Sequence, residues 1–348
     1  MFALGSRLVG PGQPPFIIAE MSGNHNQSLD RALAIVDAAA DAGADAIKLQ
    51  TYTADTITID AHSGAFTIGD PNSLWAGRNL YDLYQQAHTP WEWHEPIMAR
   101  AKARGLAAFS TPFDETAVDF LEALGVPAYK IASFENIHLP LIRKAAATGK
   151  PIIMSTGMAS IAELDDAVRA AREAGCRDLV LLKCTSTYPA TPENTNLATI
   201  PHLRGLFGCE IGLSDHTMGV GVSVAAVALG ATVIEKHFTL ARADGGVDSA
   251  FSLEPDELRA LVVETGRAAA AMGNIAYGPT EAERKSLIFR RSLYLVRDIE
   301  VGEVLTKDNV RIIRPAGGLA PKEIDTVLGM RATRKAARGT PLTWDLVT

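Results

Sequence analysis

Cysteine is scarce in this chain: Cys176, Cys184 and Cys209 are the only three, an odd number with no metal-ligand spacing. That argues against a disulfide framework and fits reduced thiols in a cytoplasmic protein. Long apolar runs are absent too. No segment reaches membrane-spanning length uninterrupted by charge, and MFALGSRLVGPGQPPFIIAE at the start lacks a basic stretch followed by a long apolar one. Basic charge is not in excess. A net charge of −7 argues against nucleic acid or an anionic membrane as partner, so any bound anion must be held by a few local cations. No G-x-G-x-x-G turn follows the first apolar run, which counts against an open dinucleotide-binding sheet.

What the chain does have is a repeated alternation. Short apolar runs occur at residues 15–20 (PFIIAE), 44–50 (ADAIKLQ), 106–111 (LAAFST), 128–133 (AYKIAS), 151–156 (PIIMST), 178–186 (DLVLLKCTS), 210–216 (EIGLSDH) and 232–238 (TVIEKHF). Each is followed by an alanine-rich helical pattern or a long loop. Eight such units predict an α/β protein with a closed (β/α)₈ barrel over residues 1–278. Residues 52–89 read as a long loop over the active face, with Tyr81 and Tyr84 packing inside it. After Gly278-Pro279 the periodicity changes to short strands and tight turns, predicting a second, small domain over 279–348.

Every expected strand ends in polar residues, where a barrel of this kind places its chemistry. Strand-end Thr111 and Thr156 have a competing use as caps of the next helix. Strand alternation sorts the lysines. Lys48 and Gln50 share an inward face and Lys130 closes its strand the same way, so the two lysines are candidates to grip a phosphate or carboxylate, with a salt bridge to Glu or Asp as the competing use. Ser133, Ser155, Ser186 and Ser214 are neutral donors around them. Lys183 and Lys236 have the opposite parity and are expected to face the helices and snorkel to water. His216 and His237 end adjacent strands, beside Glu20 across the closure, and are expected to share one divalent ion. Nitrogen ligands suit Mn²⁺, Fe²⁺, Co²⁺ or Zn²⁺.

In order, AE-x-x-x-NH, K-x-Q, STPF, YKI-x-S-x-E, STGM, CT-x-x-YP, GLSDHT, E-K-HF and R-P resemble the sialic acid synthase family over nearly the whole chain. The stretches AEMSGNHNQSL, KLQTYTADT, KCTSTYP and GGVDSAFSLEP are similar to its pseudaminic acid branch; the neuraminate and legionaminate branches carry an Asn where Ser186 stands. The C-terminal residues resemble an antifreeze-like, or SAF, domain. The resemblance implies condensation of phosphoenolpyruvate with an amino-sugar aldehyde, here 2,4-diacetamido-2,4,6-trideoxy-L-altrose. Neuraminate or legionaminate synthesis is the nearest alternative.

It further implies a divalent cation, Mn²⁺ ahead of Mg²⁺ or Co²⁺, on His216 and His237. Lys48, Gln50, Thr111, Lys130, Ser133, Ser155, Ser186 and Ser214 would surround phosphoenolpyruvate. Asn24, Glu135, Tyr188 and Asp248 would lie toward the sugar, with Glu20, Glu135, Lys48 and Lys130 as the catalytic groups. Arg314 would reach over the sugar of a partner subunit, implying a domain-swapped homodimer. Tyr81, Trp91, Trp93 and Phe251 are possible sources of an apolar sugar pocket, though packing suits each as well. A metal-dependent amidohydrolase would want an H-x-H pair on the first strand, and there is none. A non-catalytic glycan- or ice-binding module would leave the lysines and histidines without a purpose.

Overall fold

All 348 residues are described by the structure, a computed structural model. The chain opens with a hairpin of β1 (Phe2–Leu4) and β2 (Arg7–Val9). Then come β3 (Phe16–Glu20), β4 (Ala46–Thr51), β5 (Ala107–Pro112), β6 (Tyr129–Ile131), β7 (Ile152–Ser155), β8 (Leu179–Cys184), β9 (Glu210–Ser214) and β10 (Val233–His237). These eight are parallel and close into a barrel, with β10 pairing both β9 and β3. They correspond one to one with the expected strands. The helices are α1 (Leu29–Ala42), α2 (Ala54–Ile57), α3 (Leu80–Ala87), α4 (His94–Ala103), α5 (Glu115–Ala123), α6 (Leu139–Ala147), α7 (Ile161–Glu173), α8 (Thr199–Phe207), α9 (Gly221–Ala228) and α10 (Pro255–Met272). None is long and apolar enough to cross a membrane.

Local chemistry explains these elements. In α1, Ala32, Ile35, Val36 and Ala39 recur at the helical period and are buried, Ser28 caps the start by accepting from Arg31 N–H, and Gly43 ends it in the left-handed region at φ +90°. Helix α7 begins with a reciprocal capping box between Ser160 and Glu163, and α5 is capped by Asp114. The expected caps Thr111 and Thr156 therefore cap nothing, because the residues three or four places later do it.

Two features depart from expectation. Residues 52–89 hold the helices α2 and α3, with Asn79 capping α3, so the excursion is built rather than irregular. The N-terminal hairpin has no counterpart in the sequence reading. Its Leu4 and Val9 join the barrel core, its Arg7 pairs with Asp45 ahead of β4, and at Gly5 a Cβ would come within 3.0 Å of Ala107 Cβ at the start of β5. It covers the N-terminal ends of the strands, leaving the other end for chemistry.

The chain divides into two compact units, Met1–Gly273 and Asn274–Thr348, slightly before the expected boundary. The second pairs β11 (Ser292–Leu295) with β12 (Val310–Ile313) in antiparallel register, adds the short helix α11 (Ile324–Val327), and has its own core of Leu293, Leu295, Ile299, Leu305 and Leu342.

Candidate active site

Parallel register places the polar strand ends side by side. Glu20 on β3 stands opposite both His237 on β10 and Lys48 on β4, while Ser214 on β9 stands opposite Glu235 on β10 and Cys184 on β8. Side chains opposite one another on parallel strands share a face. The result is a buried ring of charge. Lys48 Nζ lies 2.5 Å from Glu20 Oε2, 3.8 Å from Glu235 Oε2, and donates to Thr111 Oγ1 at 3.2 Å. Lys130 Nζ lies 3.3 Å from Glu235 Oε1 and donates to Ser155 Oγ at 2.8 Å. Gln50 donates to Glu20 Oε1 at 3.1 Å and Ser214 to Glu235 Oε1 at 3.0 Å.

Both expected anion-binding lysines are thus inside, and both are also in ion pairs. Glu235 spans the two. Within TVIEKHF, Glu235 received no role from the sequence; its parity with His237 was the available signal.

Burial raises the Glu20 carboxyl to about 7, with Lys48 opposing and Glu235 adding to the rise. Burial acts the same way on Glu235, but Lys130 and Lys48 outweigh it and hold that carboxyl below its usual value. Lys48 sits above its ordinary value because Glu20 and Glu235 overcome the desolvation that would lower it, whereas desolvation prevails at Lys130. The two carboxylates are therefore different in kind: one is firmly ionised, the other exchanges its proton near neutrality.

Ser133 accepts from Gly157 N–H at 3.1 Å. A Cβ at Gly157 would come within 2.2 Å of Ser186 Oγ and 2.6 Å of Ser133 Oγ, so the absent side chain leaves a small hydroxyl-lined hollow. The Ser186 hydroxyl has Cys184 Sγ, at 3.7 Å, as its hydrogen-bond neighbour.

Beside this ring the imidazoles of His216 and His237 have centroids 5.4 Å apart. His216 Nδ1 lies 3.0 Å from the Thr185 carbonyl, which assigns its proton to Nδ1 and leaves the Nε2 lone pair free. Burial, then His216 and the lysines, keep His237 neutral well below its ordinary value. Its buried Nδ1 has no hydrogen-bond partner, and Asp248 Oδ2 is 3.8 Å away. Burial would lower His216, but Cys184, the Thr185 carbonyl and Glu235 outweigh it and hold that imidazole above its ordinary value, so a cation bound there would have to displace its proton. With that proton displaced, two nitrogen donors fit a divalent cation with most of its positions left to water or substrate. No group of three or more His, Cys, Asp or Glu side chains is arranged to hold a metal.

An aromatic wall flanks the imidazoles. Tyr188 lies 4.5 Å from His216 and 5.3 Å from Phe251, and Phe251 4.9 Å from His237. Trp75, which sequence reasoning missed, lies 5.8 Å from Tyr188. Trp91 and Trp93 instead pack on Phe120 and His25, and Tyr81 donates to Asp55 at an exposed position. Asn24 is buried and donates to Phe238 O and Ser252 Oγ, both at 2.9 Å, while Ser22 bonds Asp248. Burial raises Glu135 to about 7 against the pull of Lys130. Arg314, in the second unit, is exposed and makes no hydrogen bond or ion pair.

Four buried side-chain atoms have no partner within hydrogen-bond distance: Asn24 Oδ1, Glu135 Oε2, Glu235 Oε2 and His237 Nδ1; Glu20 Oε2 is answered by Lys48. Buried polar atoms are ordinarily satisfied, and here every exception lies at the end of β10 or in the segments that directly follow β3 and β6. Lys236 is the opposite case and a correction. It does face the helices, but it is 1% exposed and held by Asp215 rather than snorkelling, because the β9–α9 turn folds over it and supplies a carboxylate and two carbonyls. Lys183 does lie on the outward face, half-buried, donating to Cys184 O at 2.8 Å.

Two pseudaminic acid synthases are similar to the chain over nearly their whole length. That of Helicobacter pylori is 42% identical over 335 residues, covering 96% of this chain and 98% of that one. That of Campylobacter jejuni is 45% identical over 327 residues, covering 94% and 95%. Among solved structures, the N-acetylneuraminic acid (sialic acid) synthetase of Leptospira borgpetersenii superposes with a TM-score of 0.74 at 33% identity, covering 82% of this chain and 94% of that one. The SAF domain description matches residues 290–348 and the NeuB family description residues 35–277, and on that match, most of the chain and nearly all of the barrel, this protein belongs to the NeuB family.

Proposed function

We propose that this enzyme condenses phosphoenolpyruvate with 2,4-diacetamido-2,4,6-trideoxy-L-altrose, releasing phosphate and forming pseudaminic acid. The observation that carries the reading is the coincidence of the unpaired polar atoms with a ring of two buried lysines, in a chain 42–45% identical to pseudaminic acid synthases. The unpaired acceptors Asn24 Oδ1 and Glu135 Oε2 suit the N–H and O–H donors of an amino sugar, and the ammonium groups suit a phosphate and a carboxylate.

In the reaction, C3 of the enol ester attacks the aldehyde carbon of the open-chain sugar, water adds at C2, and the hemiketal phosphate collapses by C–O cleavage. Lys48 and Lys130 neutralise the anionic substrate in a water-poor cavity where fixed charges act strongly. Glu20, titrating near neutrality, takes the proton of the adding water. Glu135 delivers a proton to the oxygen that was the aldehyde. His216 and His237 would hold a divalent cation, which when bound supplies Lewis acidity toward the aldehyde oxygen.

The active assembly is a homodimer in which Arg314 reaches the sugar of the partner subunit. Support comes from its unengaged guanidinium and from Ile275 and Tyr277, largely apolar side chains 94% and 96% exposed at the start of the second unit. Phosphate release from phosphoenolpyruvate, measured with the L-altrose derivative, the legionaminate precursor and ManNAc in parallel, tests the reading. Turnover of ManNAc alone would overturn it, and a monomer in sedimentation would remove the dimer.

A further inference from the structure

We propose that Trp75 is a specificity residue for the acceptor sugar: its indole extends the wall of Tyr188 and Phe251 and packs against the far, deoxygenated end of the sugar chain. This rests on the function proposed above and names the side chain that reads the acceptor.

Trp75 does not belong to the barrel framework. It sits in a loop of the excursion between β4 and α4, closed at its base by Ile68 N–H on Arg78 O at 2.9 Å and Gly77 N–H on Ile68 O at 2.8 Å. The excursion is latched to the β3 end of the barrel, where Gln27 donates to the carbonyls of Gln86 and His88 at 2.9 and 2.7 Å. The indole is aimed as well as tethered, since its Nε1 donates to Val247 O at 3.0 Å, next to Asp248. Trp91 and Trp93 spend their rings on protein neighbours. Trp75 stays half-buried outside the barrel core, its ring 5.8 Å from Tyr188 at 57°. An aromatic face held rigidly at the mouth of a site, and only partly covered, is a binding surface for apolar groups.

The order of the rings sets what it touches. The imidazoles mark the end where the aldehyde reacts, Tyr188 lies over them, and Trp75 is one ring further out. An open-chain sugar with its aldehyde at the imidazoles points its distal carbons along this wall. There the diacetamido sugar carries an acetamido group and a methyl where ManNAc carries hydroxyls. An apolar wall accepts the methyl and leaves a hydroxyl unpaired, a difference worth roughly tenfold or more in kcat/KM.

The test compares Trp75→Ala and Trp75→Phe with wild type, varying each substrate in turn and recording thermal midpoints. Trp75→Ala is expected to raise the acceptor KM about tenfold or more, leave the phosphoenolpyruvate KM within about twofold, and erode discrimination against ManNAc. Trp75→Phe keeps the wall but loses the bond to Val247, and is expected to stay close to wild type. An unchanged acceptor KM in a folded Trp75→Ala overturns the proposal. So does a Trp75→Phe as impaired as Trp75→Ala, because Trp75 would then act only by holding Val247. Failure of the underlying reading shows separately, as absence of wild-type turnover with the diacetamido sugar. Trp75 is then judged by the same KM split on whichever amino-sugar aldehyde the wild type consumes.

Discussion

Two lysine–carboxylate pairs draw one member each from neighbouring residues of β10: Lys236 faces out and meets Asp215 after β9, while Glu235 faces in and meets Lys130 on β6 across the barrel. Outside, Asp215 Oδ1 accepts from Thr217 N–H at 2.9 Å and from its hydroxyl at 2.7 Å, while Oδ2 accepts from Ser223 Oγ at 2.7 Å and Lys236 Nζ at 3.0 Å. Lys236 gives its remaining protons to the carbonyls of Thr217 and Gly219, at 2.6 and 3.0 Å. Inside, Lys130 and Glu235 are equally buried, but Glu235 Oε2 has no hydrogen bond and the pair is stretched to 3.3 Å. A complete network leaves nothing for a substrate to bind, and its role is to hold the turn carrying His216. An incomplete one costs stability and keeps its valences for chemistry. Hydrogen-bond saturation, rather than burial or charge, separates the structural lysine from the functional ones.

The most severe way to break this comparison is at the residue after Asp215. His216→Ala should abolish metal-dependent turnover and weaken Mn²⁺ binding measured by calorimetry; an active, metal-responsive variant would refute the ligand role. Lys236→Met should cost about 3–5 kcal/mol in urea unfolding, because it strands a buried carboxylate, and adding Asp215→Asn should recover part of that. Lys130→Met tests the other side. It should lower kcat/KM by about 10²–10³-fold with a smaller loss of stability than Lys236→Met, since Lys48 still answers Glu235; a larger stability loss with little kinetic effect would invert the assignment.

Titration sharpens it further. The folded-state pKa of Glu135 is raised from 4.5 to about 7 by burial, so the folded chain keeps a proton that the unfolded chain loses across that window. Its contribution to stability is full below about 4.5 and is lost as the pH rises through about 7. Glu135→Gln has no such loss, so its melting midpoint relative to wild type should climb between about pH 5 and pH 8; a flat difference would mean the carboxyl titrates normally. The smallest effect belongs to Ser186→Ala, which removes one neutral donor and should raise the phosphoenolpyruvate KM by about two- to tenfold.

Much of the inner set was legible in the sequence because strand parity is local. Lys48 and Lys130 were placed inward by alternation and point inward, while His216 and His237 were singled out by ending adjacent strands, and their rings do lie side by side. Lys236 shows the limit of the same rule: parity foretold its outward face but not the turn that buries it. Glu235 carried the right parity too, yet nothing in TVIEKHF indicates that one carboxylate reaches lysines on both β4 and β6. Trp75 gave no signal at all in GDPNSLWAGRN, since its partners Tyr188 and Val247 lie more than a hundred residues away. The hairpin Phe2–Val9 was missed because three-residue strands are too short to show a period.

By itself the sequence determined the eight parallel strands, the face each polar side chain takes, and the second unit, since period and cap chemistry act within a few residues. Only the tertiary structure decided which carboxylate answers which lysine, which buried atoms stay unpaired, and which distant loop completes the aromatic wall. Those depend on the register around a closed barrel and on where long connections are latched, and such distances are set by the packing of the whole chain rather than by any stretch of it.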